Sequence, residues 1–163
     1  MSTDESCAVA HGAATVPDVE TRALVVVFDT PVARQLIAFA TAVGYRTTLV
    51  DPRGRSGALT ELPELDGTVD VVVTDHHREE LATVLRDVLA HPARWIGVMG
   101  NPRHPAPYLE PLVALGVSAV DIERIHRPIG LNIGSRTPPE IALATLAGLL
   151  ADRNGRKGGF DFS

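Results

Sequence analysis

This sequence has a single cysteine, no excess of basic residues and no long apolar run. The single cysteine, Cys7, excludes an internal disulfide and a cysteine cage around zinc. No apolar run reaches the roughly 20 residues of a transmembrane helix, and the first residues lack the basic start and apolar core of a signal peptide. We therefore expect a cytoplasmic protein that does not enter membranes. The formal net charge of −5, without a basic stripe, argues against nucleic acid as a partner.

Recognisable catalytic and metal-binding patterns are absent as well. The sequence has no P-loop lysine, no Ser-His-Asp arrangement and no paired-carboxylate motif, so we predict no catalytic residues. Asp75, His76 and His77 could join His104 or His126 around a metal ion. Adjacent histidines point in different directions, however, and the spacing fixes no third ligand, which favours solvated histidines and no metal site.

Length and composition predict one domain with a substantial core. The 163 residues are too few for two comfortable domains, and 45% of them are hydrophobic. Residues 1–20 are polar and show no periodicity, and residues 154–163 are rich in glycine and charge. We expect both segments to be flexible tails around a single domain at residues 21–153.

Short apolar runs alternate with amphipathic segments between these tails. Residues 23–28 form a continuous apolar run of strand length, and the segments at 46–50, 69–73 and 95–99 are also predicted to be strands. Helical periodicity or capping signals mark residues 32–43, 78–90, 108–115, 120–125 and 138–153. Strands with little alternation of polarity, separated by amphipathic helices, predict a doubly wound, mainly parallel sheet, which is a Rossmann-like α/β fold.

The turn after the first predicted strand lacks the glycines of a dinucleotide-binding fingerprint. It reads Asp29-Thr30-Pro31, where proline removes an amide donor, threonine is placed to cap the helix and aspartate repels phosphate. Asp51 lies 22 residues after Asp29, close to where a Rossmann protein places the acid that binds a ribose hydroxyl. We therefore expect that NAD(P) does not bind in the usual way, although Asp51 keeps an NAD(P)-dependent oxidoreductase as an alternative.

The segment before the last predicted helix carries the strongest local signals. Gly130 and Gly134 permit a close approach of a ligand to the backbone, and Arg136 adds a permanent positive charge. Thr137 and Glu140 have the spacing of a capping box, with prolines between them. These features fit a small-ligand site built on the start of a helix, or a loop that only turns the chain.

Three stretches of the sequence resemble one known family. They are WIGVMGNPRH at 95–104, LVALGV at 112–117 and RIHRPIGLNIGSRTPPEIALATLAGLLADR at 124–153. They are similar to motifs in the Rossmann-like domain of the XdhC/CoxI family, the xanthine dehydrogenase accessory proteins. The resemblance implies a non-catalytic chaperone that binds molybdenum cofactor and helps to mature a molybdenum hydroxylase of the xanthine or CO dehydrogenase type.

The resemblance also implies roles for particular residues. Arg103 and Arg136 could hold the phosphate of molybdopterin, and the amides of Gly134, Ser135 and Arg136 could form a small anion nest. Asp75, Asn101 and Asn132 could read the edge of the pterin. Together with other residues of the same loops, the predicted cofactor-binding set is Asp51, Asp75, Gly100, Asn101, Arg103, Gly130, Asn132, Gly134, Ser135 and Arg136.

Two departures from the family pattern leave alternatives open. Family members usually carry a further N-terminal domain, and here only about twenty residues precede the first strand, so a separate XdhC-type N-terminal domain protein is a possible partner beside the client hydroxylase. The glycine-rich turn is also missing, which is compatible with a Rossmann-like interaction module that has no small ligand. Small residues on the helix at 138–153 would admit another helix, as in a homodimer.

Overall fold

The computed structural model describes residues 22–159. The predicted N-terminal tail and Cys7 lie outside the described residues. The described part contains five strands, β1 (Ala23–Val27), β2 (Arg46–Val50), β3 (Val69–Val73), β4 (Trp95–Val98) and β5 (Ile125–His126). It also contains five helices, α1 (Pro31–Ala42), α2 (Leu81–Leu89), α3 (Leu109–Ala114), α4 (Ala119–Ile122) and α5 (Pro138–Arg153).

The five strands form one parallel sheet in the order β2-β1-β3-β4-β5. This confirms the prediction of a doubly wound, Rossmann-like α/β fold. The alternate residues of each strand face two apolar layers, as expected for a parallel sheet that is covered on both sides. On one side α1 and α5 pack on Leu24, Val26 and Val72, and on the other side α2 and α3 pack on Val25, Val71 and Val73.

The edge strand β5 was not predicted, because residues 120–125 were expected to form a helix. The helix begins where Ser118 accepts a hydrogen bond from the amide of Asp121, but it ends at Ile122. Beyond it, the side chain of Arg124 donates to the carbonyl of Leu89, at the end of α2, and to that of His91, in the turn that leads into β4. This anchors the chain beside β4, where two residues continue the sheet.

The direction in which strands are added to the sheet reverses between β1 and β3, and this is where such folds have a crevice. Here a hydroxyl bridge joins the two strand ends, since Thr30 Oγ1 donates to Thr74 Oγ1 over 3.0 Å. Thr74 in turn donates towards the carbonyl oxygens of Val27 and Phe28. These contacts use the hydroxyl groups at the crevice, and a cleft lined in part by Thr74 opens beside them over β3 and β4.

Candidate functional site

A cleft of about 860 Å³ opens at the carboxyl ends of β3 and β4. Two of its walls are the loops that follow these strands, and the third is the segment from Pro128 to Ser135 that leads into α5. Seven of the ten predicted cofactor-binding residues line it: Gly100, Asn101, Arg103, Gly130, Asn132, Gly134 and Ser135. The fold therefore brings together two sequence segments that are about thirty residues apart.

Asp51 does not line this cleft, and the structure gives it a role in the fold instead of the predicted contact with a cofactor. Its side chain is fully buried. One carboxylate oxygen accepts from the amide of Asp29 and from Arg78, and the other accepts from the amide of Arg53 and again from Arg78. Burial alone would raise the pKa of Asp51, but these hydrogen bonds hold it well below its ordinary value.

Asp75 and Arg136 also lie outside the lining of the cleft. The carboxylate of Asp75 accepts from the amide of His77 over 2.8 Å and so shapes the turn after β3. The side chain of Arg136 is exposed, and its amide donates to Glu140 Oε2 over 2.7 Å. The predicted nest of three amides is therefore incomplete, because Glu140 occupies one of its donors as part of the capping box at Thr137.

The two predicted glycines of this segment have different roles. Gly130 has a φ of 87°, and a Cβ there would lie 3.1 Å from the backbone of Ala144 in α5. The neighbouring amide of Leu131 donates to the carbonyl of Ala144 over 3.0 Å, which fixes the segment on the helix. Gly134 has a φ of 68°, and a Cβ there would meet nothing within 4 Å. Gly130 thus serves packing, and Gly134 serves the turn that exposes the backbone to the cleft.

The loop after β4 is a compact turn that is stabilised by the side chain and by the carbonyl of Asn101. Asn101 Oδ1 accepts from the amide of Arg103 over 2.9 Å, and its carbonyl accepts from the amide of His104. The carboxamide oxygen of Asn101 is therefore used within the turn, and only its NH₂ remains for a ligand. The side chain of Arg103 makes no ion pair with any residue between 22 and 159, which leaves a positive charge at the rim of the cleft.

The structure adds residues that the sequence did not single out as part of the site. His76 lines the cleft beside Met99 and was interpreted as a solvated histidine. Its pKa is lowered by burial and by the positive potential of His77 and Arg127, with Asp75 acting in the opposite direction. Its position next to a strand end was the only available signal.

At the start of α1, where a dinucleotide would sit, local contacts use the polar groups that border a recess of about 490 Å³. Thr30 caps α1 by accepting from the amide of Ala33, as predicted, and Pro31 occupies the first helical position. Asp29 pairs with Arg34 over 2.6 Å. The sharp turn that a glycine usually makes is made here by Phe28, with a φ of 72°. The guanidinium of Arg78 covers the Phe28 ring at 4.5 Å from its centroid.

A second cleft, of about 630 Å³, runs between α2 and residues 60–62. Its rim carries Glu61, Glu79, Glu80 and Asp87. This acidic lining disfavours an anionic ligand and contrasts with the cleft over β3 and β4. Residues 22–159 contain no group of three side chains placed to hold a metal ion. Among the helices of the same residues, none combines the length and the hydropathy needed to cross a bilayer.

Comparisons with known proteins agree with the resemblance seen in the motifs. The chain is 31% identical over 113 residues to the uncharacterized protein YqeB of Escherichia coli K12, a match that covers 69% of this chain and 20% of YqeB. A Bacillus halodurans crystal structure described as a xanthine dehydrogenase superimposes with a TM-score of 0.66 at 21% identity, over 87% of this chain and 45% of that one. The chain thus spans less than half of either relative.

A family model, described as the XdhC Rossmann domain, matches residues 24–149. This match includes all five strands, the cleft and most of α5. Since it covers well over half of the sequence, the chain belongs to the XdhC Rossmann-domain family.

Proposed function

We propose that this chain is an accessory protein that binds molybdenum cofactor as cargo and assists the maturation of a molybdenum hydroxylase. Membership of the XdhC family supports an accessory role. The cleft over β3 and β4 supports a small anionic ligand, because it lies at the edge of the sheet where such folds bind ligands.

The residues present fit the organic part of this cofactor. Ligand sites in proteins commonly have volumes of roughly 300–1,000 Å³, and the cleft of about 860 Å³ is within this range. Molybdopterin combines a phosphate ester with a pterin that has hydrogen-bonding edges. Arg103 would hold the phosphate, while the carboxamides of Asn101 and Asn132 would donate to the pterin. The molybdenum that the bound group carries supplies redox chemistry to the client enzyme.

The single observation that carries the proposal is the state of the charges around the cleft. Arg103 is at its rim without an ionic partner among the described residues, whereas Arg34, Arg53 and Arg78, near the ends of β1 and β2, are paired with carboxylates. An anion in the cleft therefore finds an uncompensated positive charge at its rim. The same contrast disfavours the alternative of an NAD(P)-dependent oxidoreductase, whose ribose would need Asp51.

A binding experiment with three ligands tests the proposal. The purified chain is titrated anaerobically with molybdenum cofactor released from a purified molybdenum hydroxylase, and separately with NAD and NADP, by calorimetry. We expect saturable binding of the cofactor only, weakened in Arg103→Ala and unchanged in the matched variant Arg55→Ala, which removes an exposed arginine beside β2. Binding of NAD with turnover would favour the oxidoreductase, and no binding of any ligand would favour the interaction module.

The accessory role needs its own measurement, because binding alone does not show delivery. Apo-hydroxylase is incubated with free cofactor or with cofactor preloaded on this chain, and recovery of hydroxylase activity is followed. We expect faster or more complete recovery with the preloaded chain. Equal recovery with free cofactor in both yield and rate would contradict the accessory role.

A further inference from the structure

Two arginines flank the two-residue strand β5 and hold loops at opposite edges of the sheet. Arg124, before the strand, donates to the carbonyls of Leu89 and His91, as described above. Arg127, after the strand, donates to the carbonyl of Asn101 over 2.8 Å and to that of His104 over 3.1 Å. The second pair of bonds spans the turn that carries Arg103 into the cleft.

The guanidinium of Arg127 is packed directly on the backbone of this turn. A Cβ at Gly100 would lie 2.5 Å from Arg127 Nε and 2.9 Å from Nη2, so only glycine leaves room for it. Nε is buried and has no hydrogen-bond partner within residues 22–159. Arg127 also makes no ion pair with these residues, which leaves its positive charge uncompensated behind the turn.

We propose that Arg127 is the positioning residue of the anion site: it holds the Asn101–His104 turn in the form that presents Arg103, and it adds a second fixed positive charge behind the cleft. The proposal rests on the proposed function for the identity of the anion. It replaces Arg136, the second arginine expected from the sequence, with a residue that is tied to the turn by two hydrogen bonds.

The charge of Arg127 also affects two nearby ionisable groups, His76 in the cleft and Tyr108 in the core. The pKa of His76 is lowered by burial, then by His77 and by Arg127, while Asp75 opposes these effects. At Tyr108, burial raises the pKa and the charge of Arg127 acts against that rise. Removal of Arg127 should therefore raise the pKa of His76, which provides a measurement that does not depend on any ligand.

The first test uses NMR on the chain without ligand. In Arg127→Gln we expect a higher pKa for His76 and faster hydrogen exchange at the amides of Arg103 and His104, which donate within the turn. Arg127→Lys should speed exchange in the same way but raise the pKa of His76 less, because a charge remains. Arg124→Gln, which releases the other loop, should leave His76 and both amides unchanged.

The second test measures affinity for molybdenum cofactor released from a purified hydroxylase. Arg127→Gln should weaken binding by about tenfold, the scale of one lost charged hydrogen bond, and Arg124→Gln should not. Gly100→Ala provides an independent variant, since its Cβ would displace the guanidinium without removing it, and it should have the same effect on the turn amides.

The outcomes separate this proposal from the proposed function. If Arg127→Gln and Gly100→Ala leave the turn amides protected and the titration of His76 unchanged, Arg127 does not position the turn and the inference is wrong. If the wild-type chain binds no cofactor, the proposed function is wrong, while the NMR measurements still decide whether Arg127 organises the cleft.

Discussion

The carboxyl edge of the sheet has two halves with opposite use of charge. Over β1 and β2, Asp29 pairs with Arg34, and Asp51 with Arg78. Over β3 and β4, Arg103 and Arg127 have no carboxylate partner within the described residues. In the first half, which we call the neutralised half, these two acids are paired with arginines of the same chain, and the second half retains a positive potential that an external anion can satisfy.

This difference shows how a Rossmann-like fold can keep its architecture while its binding site moves. The usual dinucleotide position needs a glycine turn, free helix amides and an accessible acid. Here Phe28 makes the turn, Thr30 occupies the helix amide and Asp51 is buried under Arg78. The adjacent half gains its ligand-binding character from the loop after β4 and the segment before α5.

The largest expected effect is the loss of stability when the buried ion pair of the neutralised half is removed. Asp51→Ala leaves the largely buried Arg78 without its main partner, and we expect the free energy of unfolding to fall by about 3–5 kcal/mol. Arg34→Ala removes an exposed partner of Asp29 and should cost less than about 1 kcal/mol. Urea denaturation of both variants checks this, and equal losses would show that the two pairs do not differ as their burial indicates.

A smaller loss of stability is expected when the segment that forms one wall of the cleft is disturbed where it packs on α5. Gly130→Ala combines a left-handed backbone with a Cβ against Ala144, and we expect about 2–4 kcal/mol of destabilisation. Gly134→Ala has a left-handed backbone in open space, so its cost should be only about 1–2 kcal/mol. Thermal unfolding compares the two, and a larger effect at Gly134 would contradict the assigned roles.

The effect on binding should sharpen the contrast between the two predicted phosphate ligands. Arg103→Ala is expected to weaken cofactor binding by about 1.5–3 kcal/mol, as for one charged hydrogen bond. Arg136→Ala should have little effect, because Arg136 does not line the cleft. Calorimetry measures both, and the reverse order would place the anion beside α5 rather than beside the turn after β4.

The smallest expected effect is the change in stability with pH that arises from Glu80 in the neutralised half. Hydrogen bonds from Arg78 and Arg53 lower the pKa of Glu80 from its ordinary value of 4.5 to about 2. A carboxylate with a depressed pKa in the folded state stabilises the fold above about pH 4.5, and this contribution is lost as pH falls towards 2. Denaturation at pH 6 and pH 3 should show a smaller acid sensitivity in Glu80→Gln than in the wild type. The same sensitivity in both would remove Glu80 from the network.

The fold could be predicted from the sequence because its signals are local. Short segments rich in apolar or β-branched residues predicted four strands within one residue, and the capping box at Thr137 predicted the start of α5. Strand β5 was not predictable in this way. It has two residues, and it exists because Arg124 and Arg127 hold the chain beside β4 through contacts distant in sequence.

The candidate site was predictable only in part, for a related reason. Loops after strands and glycines before a helix are visible in the sequence, and seven of the predicted residues do line one cleft. Whether a charged side chain is free is not visible. Asp51 and Arg136 are of residue types that could bind a cofactor. The carboxylate of Asp51, however, is hydrogen-bonded to Arg78, and Arg136 does not line the cleft.

The attachment of the Leu131 amide to the carbonyl of Ala144 has a consequence for the speed and cost of ligand capture. The segment from Pro128 to Ser135 is attached to a long helix, so it is already ordered before a ligand binds. Little conformational entropy is therefore lost there on binding. A chaperone with such a wall would bind its cargo in a preformed site and not by closing around it. The cargo could then leave without a change in the conformation of the protein.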